Sequence, residues 1–374
     1  MMSTRPAWAE IYVSAIEHNI KALAELVGSA SKICAVVKAD GYGHGAIACA
    51  RAALAGGASC LAVALLDECV ALRKSGIDAP ILLLGAVQAE DAEAVFQAGL
   101  EATVFSDKTI RAFDLAGRKA GGKARLHLKI DTGMSRVGCE PAEAPGLASL
   151  IAGLPGTALA GCYSHFANSD DPALGFARRQ LGLFLSAMAA IEAAGVEVPI
   201  RHLANSAAAL WLPEARLDMV RIGIAMYGLR PDHARPLPHG GFRPALAVKA
   251  RVTRLAFVGP GATVSYGRSW TATRPSRIAT VSLGYADGYP RSLSGRSWAG
   301  FEGQRLPQIG RVCMDMCMFD ATEAPGLVEG SVITLMGPGG PSLEETGDLA
   351  KTINYEIACS LGLRLPHLVS QGGS

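Results

Sequence analysis

A regular alternation over the first two thirds of the chain constrains its fold more than any other feature. Short apolar or β-rich runs occur at 33–38, 60–64, 80–85, 102–106, 125–130, 158–165, 200–205 and 219–224. Between them lie Ala-, Leu- and Glu-rich stretches of helical length, such as 45–56, 66–75, 107–120 and 173–194. Several of these end at a glycine, including Gly76, Gly99 and Gly195, as helix stop signals do. A strand that is apolar throughout is buried on both faces, which calls for a parallel sheet covered by helices. Eight such units predict a (β/α)8 barrel over residues 8–235. A doubly wound open sheet fits less well, because no GxGxxG turn follows the run at 33–38.

The pattern changes near residue 236. Pro/Gly-rich turns, Gly259-Pro260-Gly261 and Gly337-Pro338-Gly339-Gly340, separate strand-like runs at 246–258, 277–283, 309–320 and 331–336. These predict a second, mostly β domain over 236–374, which the N-terminal segment 1–7 could join, with Arg230 to Gly241 as linker. The length of 374 residues suits two domains of about 150 residues or more each.

Composition narrows the function. With 50% hydrophobic and 18% charged residues, the chain is no disordered polymer. A net charge of +2 leaves no basic excess for nucleic acid or an anionic membrane. The uncharged stretch Ala144 to Ser164 is long enough to span a bilayer. It is broken by Pro145, Gly146, Gly153, Pro155 and Gly156, and so reads as helix, turn and strand. Nine cysteines without a CxxC pair point to a reducing compartment and to no metal site, and MMSTRPAWAE lacks the apolar core of a signal peptide. A cytoplasmic protein is expected.

In a (β/α)8 barrel the chemistry sits at the C-terminal ends of the strands. Lys38 closes the first predicted strand, Lys129 and Asp131 the fifth with Arg136 just beyond, and His165 the sixth. Asn205-Ser206 closes the seventh, and Arg221 and Gly223 end the eighth. Five of the eight strands thus deliver polar groups to one rim. A lysine ending a buried strand either snorkels to solvent or is used covalently, as a Schiff-base nucleophile made reactive by desolvation. Ser206 and Gly223 lie in the loops where such barrels often bind phosphate. Lysine and phosphate site together suggest pyridoxal phosphate. On position alone His165 reads as a satisfied core histidine and Arg221 as a surface or salt-bridged arginine, although the apolar flanks of Arg221 argue against an exposed site.

At these residues the sequence resembles the alanine racemases, fold-type III pyridoxal-phosphate enzymes. The segments that carry the resemblance are Ala35-Val-Val-Lys-Ala-Asp-Gly-Tyr-Gly-His-Gly45, Lys129-Ile-Asp-Thr-Gly-Met-Ser-Arg136 and Val220-Arg-Ile-Gly-Ile-Ala-Met-Tyr-Gly228. They continue through Val264-Ser-Tyr-Gly267, Gly284-Tyr-Ala-Asp-Gly288, Val312-Cys-Met-Asp315 and Thr352-Ile-Asn-Tyr-Glu356, in family order over nearly the whole chain. Asp40-Gly41 stands where some members have Asn-Ala, and Ser135 where glycine is frequent.

The resemblance implies that Lys38 holds pyridoxal 5'-phosphate as a Schiff base and serves as the base on the D-side, with Tyr266 opposite on the L-side. A tyrosine near pKa 10 needs help to act as a base, and His165 would stand beside it. Arg221 would face the pyridine nitrogen, keeping the ring unprotonated and a weak electron sink, which suits racemisation over transamination. Arg136 would contact the cofactor phenolate and the substrate carboxylate, and Met314 would offer its backbone N–H to that carboxylate. Tyr42, Ser206, Gly223, Ile224 and Tyr355 match the phosphate ligands, with Asn205 and Tyr227 beside them. Lys129 matches a lysine that some members carry as a carbamate, an anion able to orient Arg136.

Tyr266, Met314 and Asp315 belong to the β domain and would act on the barrel of a second subunit, in a head-to-tail homodimer. Tyr285, Arg291 and Asp315 would line the entrance and restrict it to small substrates, although Arg291 could equally be a rim salt bridge. The function implied is interconversion of L- and D-alanine for peptidoglycan. The alternatives are a serine or broad-specificity racemase on the same scaffold, or a non-catalytic pyridoxal-phosphate carrier, which would generally lack the β domain. A decarboxylase would carry a glutamate in place of Arg221.

Overall fold

The structure, a computed structural model, describes residues 5–237, 241–362 and 364–371. The chain begins with strand β1 (Ala7–Tyr12), whose Ala7, Ala9 and Ile11 face the core. Helix Val13–Val27 follows and buries Ala15, Ile16, Asn19, Ile20, Leu23 and Val27 at helical spacing. Neither element belongs to the alternation read from the sequence.

The eight expected strands are present. They are β2 (Lys32–Val36), β3 (Cys60–Val63), β4 (Ile81–Leu83), β5 (Glu101–Val104), β6 (Ala124–Lys129), β7 (Thr157–Tyr163), β8 (Arg201–His202) and β9 (Met219–Ile222). All pair in parallel in the order β8-β7-β6-β5-β4-β3-β2-β9. Backbone bonds from Arg221 N to Ala204 O at 2.9 Å and from Asp218 N to Arg201 O at 3.1 Å join the two ends of that order. The sheet is therefore a closed barrel with its helices outside. Gly76, Gly99 and Gly195, just past three helix ends, all adopt positive φ. The uncharged stretch from Ala144 resolves into helix Ala144–Gly153, a turn and β7. Among the described residues no helix is long and apolar enough to cross a membrane.

The second domain is antiparallel except where its last strand pairs in parallel with β1. It contains β10 (Leu246–Val258), β11 (Thr263–Val264), β12 (Trp270–Thr271), β13 (Ser276–Val281), β14 (Trp298–Phe301), β15 (Gln304–Ile309), β16 (Cys317–Asp320), β17 (Val332–Met336) and β18 (His367–Ser370). The long β10 bends at a bulge between Val252 and Arg254, pairing with β17 on one side of it and β13 on the other. The sheet thereby curls back on itself. β1 pairs with β10 and with β18, so the chain leaves this sheet after Tyr12 rather than at residue 8.

The expected single strand at 309–320 is two strands. Gly310 breaks it at φ +66°, where a Cβ would stand 2.7 Å from that of Ser265, and the loop to Cys317 carries Met314 and Asp315. Of the expected linker, residues 238–240 lie outside the described residues. Asn19 latches its far end, donating to Met226 O and Arg243 O and accepting from Arg243 N at 2.8–3.0 Å.

Candidate active site

β2 ends in a segment of unusual backbone. Ala39, Asp40, Gly41 and Tyr42 all take left-handed helical angles, with φ between 49° and 62°. Left-handed geometry costs a non-glycine residue about 1–2 kcal/mol, so Ala39, Asp40 and Tyr42 hold strain that their surroundings must offset. Several contacts do so. Glu68 accepts from Ala39 N at 2.6 Å, Asp40 Oδ1 accepts from Ala46 N at 2.8 Å, and Gly41 N donates to Val37 O at 2.9 Å. Gly43 packs so tightly on helix Asn354–Cys359 that a Cβ there would meet Ala358 O at 2.1 Å. This turn directs both Lys38 and Tyr42 into one cavity.

The cavity, of about 590 Å³, opens at the C-terminal rim of the barrel. It gathers Lys38, Tyr42, Lys129, Arg136, His165, Asn205, Ser206, Arg221, Gly223, Ile224 and Tyr355 from separate elements. At one end Ser206 Oγ accepts from Gly223 N at 3.0 Å and Ala225 N at 3.4 Å, with Tyr42 so near Gly223 that a Cβ there would sit 2.5 Å from the phenol oxygen. Asn205 caps the helix Ser206–Trp211 through Ala208 N at 3.0 Å, and the buried Tyr227 donates to Val36 O at 3.1 Å, both behind that end.

At the other end Arg221, only 3% exposed, makes five contacts, all to neutral acceptors. They are Ser164 O (2.8 Å), Leu203 O (3.1 Å), His202 O (3.2 Å), His202 Nδ1 (2.8 Å) and His165 Nδ1 (3.2 Å). Burial and the Arg221 charge hold the imidazoles of His165 and His202 well below their ordinary pKa, so both are neutral.

Burial, and then the Arg136 charge, lowers Lys38. Lys129 lies over the Tyr163 ring at 5.3 Å and is pushed down to about 8 by burial and by Arg221 and Arg136. Arg136 is placed by a loop wound around Asp131, whose Oδ1 accepts from the N–H groups of Gly133, Met134 and Ser135 at 2.8–3.1 Å. Ser135 sits there at φ +54°, the conformation that makes glycine the easier residue at this position.

The remaining expected residues lie elsewhere in the same chain. Tyr266, 70% exposed, shares a separate groove of about 690 Å³ on the β domain with Met314 and Asp315. Asp315 Oδ1 accepts from Arg364 Nη2 at 2.6 Å. Tyr285 is exposed on a short helical turn, and Arg291 is exposed nearby in sequence. One chain thus carries two separate cavities: a barrel cavity rich in cations and a β-domain groove with an exposed phenol. Tyr163, His202, Glu68 and Cys359 also shape the cavity or its walls, and the pattern of strand ends did not single them out.

The chain was compared with known proteins. Residues 11–231 match the alanine racemase N-terminal domain and residues 245–369 the alanine racemase C-terminal domain. An alanine racemase of Desulfovibrio desulfuricans is 43% identical over 97% of this chain and 98% of its own length. The crystal structure of alanine racemase from D-cycloserine-producing Streptomyces lavendulae aligns with a TM-score of 0.93 at 35% identity, covering 100% of this chain and 98% of that one. Alanine racemase from Bacillus anthracis, crystallised with bound L-Ala-P, aligns with a TM-score of 0.91 at 35% identity, covering 100% and 97%. Both domains, full-length identity and the same architecture agree: the chain belongs to the alanine racemase family.

Proposed function

We propose that the protein interconverts L- and D-alanine, using pyridoxal phosphate held in the barrel cavity. The observation that carries this reading is the placement of Lys38 and Arg221 in one cavity, with the Ser206–Gly223–Tyr42 cradle beside them. The donor set fits the cofactor. Lys38 offers an amine to its aldehyde, and Arg221 offers a guanidinium N–H to its ring nitrogen. Tyr42, Ser206, Gly223, Ile224 and Tyr355 offer hydroxyls and backbone N–H groups to its phosphate. When bound, pyridoxal phosphate withdraws electrons from the substrate α-carbon and makes its proton removable.

The chain's own groups supply the rest. Lowering of the Lys38 pKa leaves more free amine at neutral pH to take the proton on one face. Tyr266, from the β domain of a second copy, returns one on the other face, with the neutral His165, whose Nδ1 accepts from Arg221, free to donate its Nε2 proton to the phenol oxygen. Arg136 and the Met314 N–H orient the substrate carboxylate. Arg221 cannot readily give up its proton, so it would hold the ring nitrogen by donating to it without protonating it, which suits racemisation over transamination. The exposed Tyr266 groove supports a head-to-tail homodimer with shared sites. Tyr285, Arg291 and Asp315 then lie at the entrance.

Lys129, lowered to about 8, has neutral amine available to form a carbamate that would face Arg136; native mass spectrometry reads the added mass, and an unmodified mass in carbonate-rich buffer rejects it. Nine free thiols support a reducing, cytoplasmic setting, where the product would serve peptidoglycan.

A serine or broad-specificity racemase is the second reading, weakened by the two tyrosines, Tyr285 and Tyr355, that narrow the approach. The test is cofactor-loaded protein given L-alanine and L-serine in parallel. Faster D-alanine formation supports the proposal, and faster D-serine formation the second reading. Bound cofactor with no product from either would indicate a carrier.

A further inference from the structure

A file of side chains, half-buried at Glu101 and buried from His127 onward, runs through the barrel interior from the start of β5 to Arg221. Glu101 opens β5, and its Oε2 accepts from His127 Nε2 at 2.8 Å. His127 Nδ1 meets His202 Nε2 at 2.9 Å, and His202 Nδ1 meets Arg221 Nη1 at 2.8 Å. The direction of every bond is fixed by the arginine. A guanidinium only donates, so His202 Nδ1 carries the lone pair and its proton sits on Nε2. That proton must be accepted by His127 Nδ1, which leaves the His127 proton on Nε2, aimed at the Glu101 carboxylate. The file therefore has one polarity: cation, two neutral rings, anion.

The barrel is shaped to admit this file. His127 lies where the β6–β7 register shifts, opposite Gly161, and a Cβ on Gly161 would come within 2.9 Å of His127 Nδ1. His202 stacks on Tyr163 at 4.7 Å and 8°, and the Tyr163 hydroxyl is fixed by Thr103 Oγ1 at 2.7 Å. Arg125 holds the Glu101 carboxylate from outside at 2.6 Å. Burial opposes ionisation of Glu101, but the His127 and Arg125 contacts outweigh it and bring its pKa down to about 2. Among the described residues Arg221 touches no carboxylate of its own, so the anion that answers its charge lies at the far end of this file.

We propose that Glu101, His127 and His202 are positioning residues for the reaction: a one-way relay that fixes the Arg221 guanidinium against the ring nitrogen and balances its charge from the opposite end of the barrel. The functional part rests on the reading that Arg221 faces the cofactor ring, whereas the relay itself does not.

The test has two arms, both on the full chain. First, histidine-ring ¹⁵N resonances are recorded at pH 7 in protein freed of cofactor. His127 and His202 should both be neutral with the proton on Nε2, and Glu101→Gln should shift both. An Nδ1-protonated or doubly protonated His127, or a His202 untouched by the substitution, overturns the relay whether or not the protein racemises alanine. Second, the cofactor-loaded variants are assayed with L-alanine. Glu101→Gln keeps an acceptor oxygen but removes the charge, and should lower kcat about tenfold with KM within about twofold, the scale of one charge-assisted hydrogen bond. Glu101→Asp keeps the charge and should recover most of the rate. Equal losses in both variants would mean packing rather than charge, and an unchanged kcat in Glu101→Gln would mean no role in positioning; either result overturns the proposal. Should Glu101→Gln fail to fold, the ring resonances of the unsubstituted protein decide: both rings neutral with the proton on Nε2 support the relay, and any other protonation pattern overturns it.

Discussion

The Glu68 carboxylate accepts a hydrogen bond from the backbone N–H of Ala39 at 2.6 Å, so a residue in the first turn of the helix after β3 holds the strained turn that follows Lys38. Its other oxygen accepts from Ala64 N at 2.8 Å and Leu65 N at 3.1 Å, anchoring it at the end of β3. Glu68→Ala releases three N–H groups and the left-handed turn together. The expected result is a folded protein whose affinity for pyridoxal phosphate, titrated by absorbance, falls about tenfold, the scale of losing a hydrogen bond to a charged group. Glu68→Gln should lose less, since one amide oxygen can still accept from Ala39. Unchanged cofactor affinity in Glu68→Ala would show that the turn holds itself.

The barrel was legible in the sequence because its strands are buried on both faces and so appear as plain apolar runs. The rim residues stood out as polar breaks at the ends of those runs. What escaped has physical reasons. β1 earns its place by pairing Ala7 with Ala250, a contact far away in sequence that no local pattern records. The left-handed turn was hidden because Ala39 and Tyr42, unlike the Asp40 and Gly41 between them, are not residues that announce positive φ. His127 and His202 lie inside strands, where single polar residues look like ordinary breaks in an apolar run, and their meaning appears only when four strands bring Glu101, His127, His202 and Arg221 into line.

Acid should weaken the fold in two stages. His165 and His202 are held neutral in the folded barrel, whereas in the unfolded chain they take up protons below about pH 6.5. The unfolded state then binds more protons, so unfolding free energy falls as pH drops below that point. Glu101 is depressed to about 2, so its contribution is intact above its unfolded pKa, about 4.3, and is lost between there and about 2. Urea midpoints measured from pH 8 downward should show the first fall in the wild type and in Glu101→Gln alike. Equal stability at pH 8 and pH 5.5 would mean that these histidines are not held neutral.

The proposed sharing of sites between two subunits makes a stoichiometric prediction. Lys38→Ala and Tyr266→Phe chains should each be inactive alone. After mixing and subunit exchange, half the dimers are mixed and each contains one intact site, so activity should return to about a quarter of wild type for a two-fold symmetric dimer. No recovery despite demonstrated exchange would place Lys38 and Tyr266 of the same chain in one site.

In the proposed reaction Lys38 and Tyr266 handle the α-proton of alanine from opposite faces. This is tested most directly by incubating L-alanine with the cofactor-loaded protein in D₂O and following optical activity together with deuterium at Cα. Optical activity should decay while the inverted product, D-alanine, carries deuterium at Cα from its first turnovers. Deuterium entering L-alanine with its configuration retained, and no D-alanine formed, would mean that one base does all the work and would contradict the role given to Tyr266.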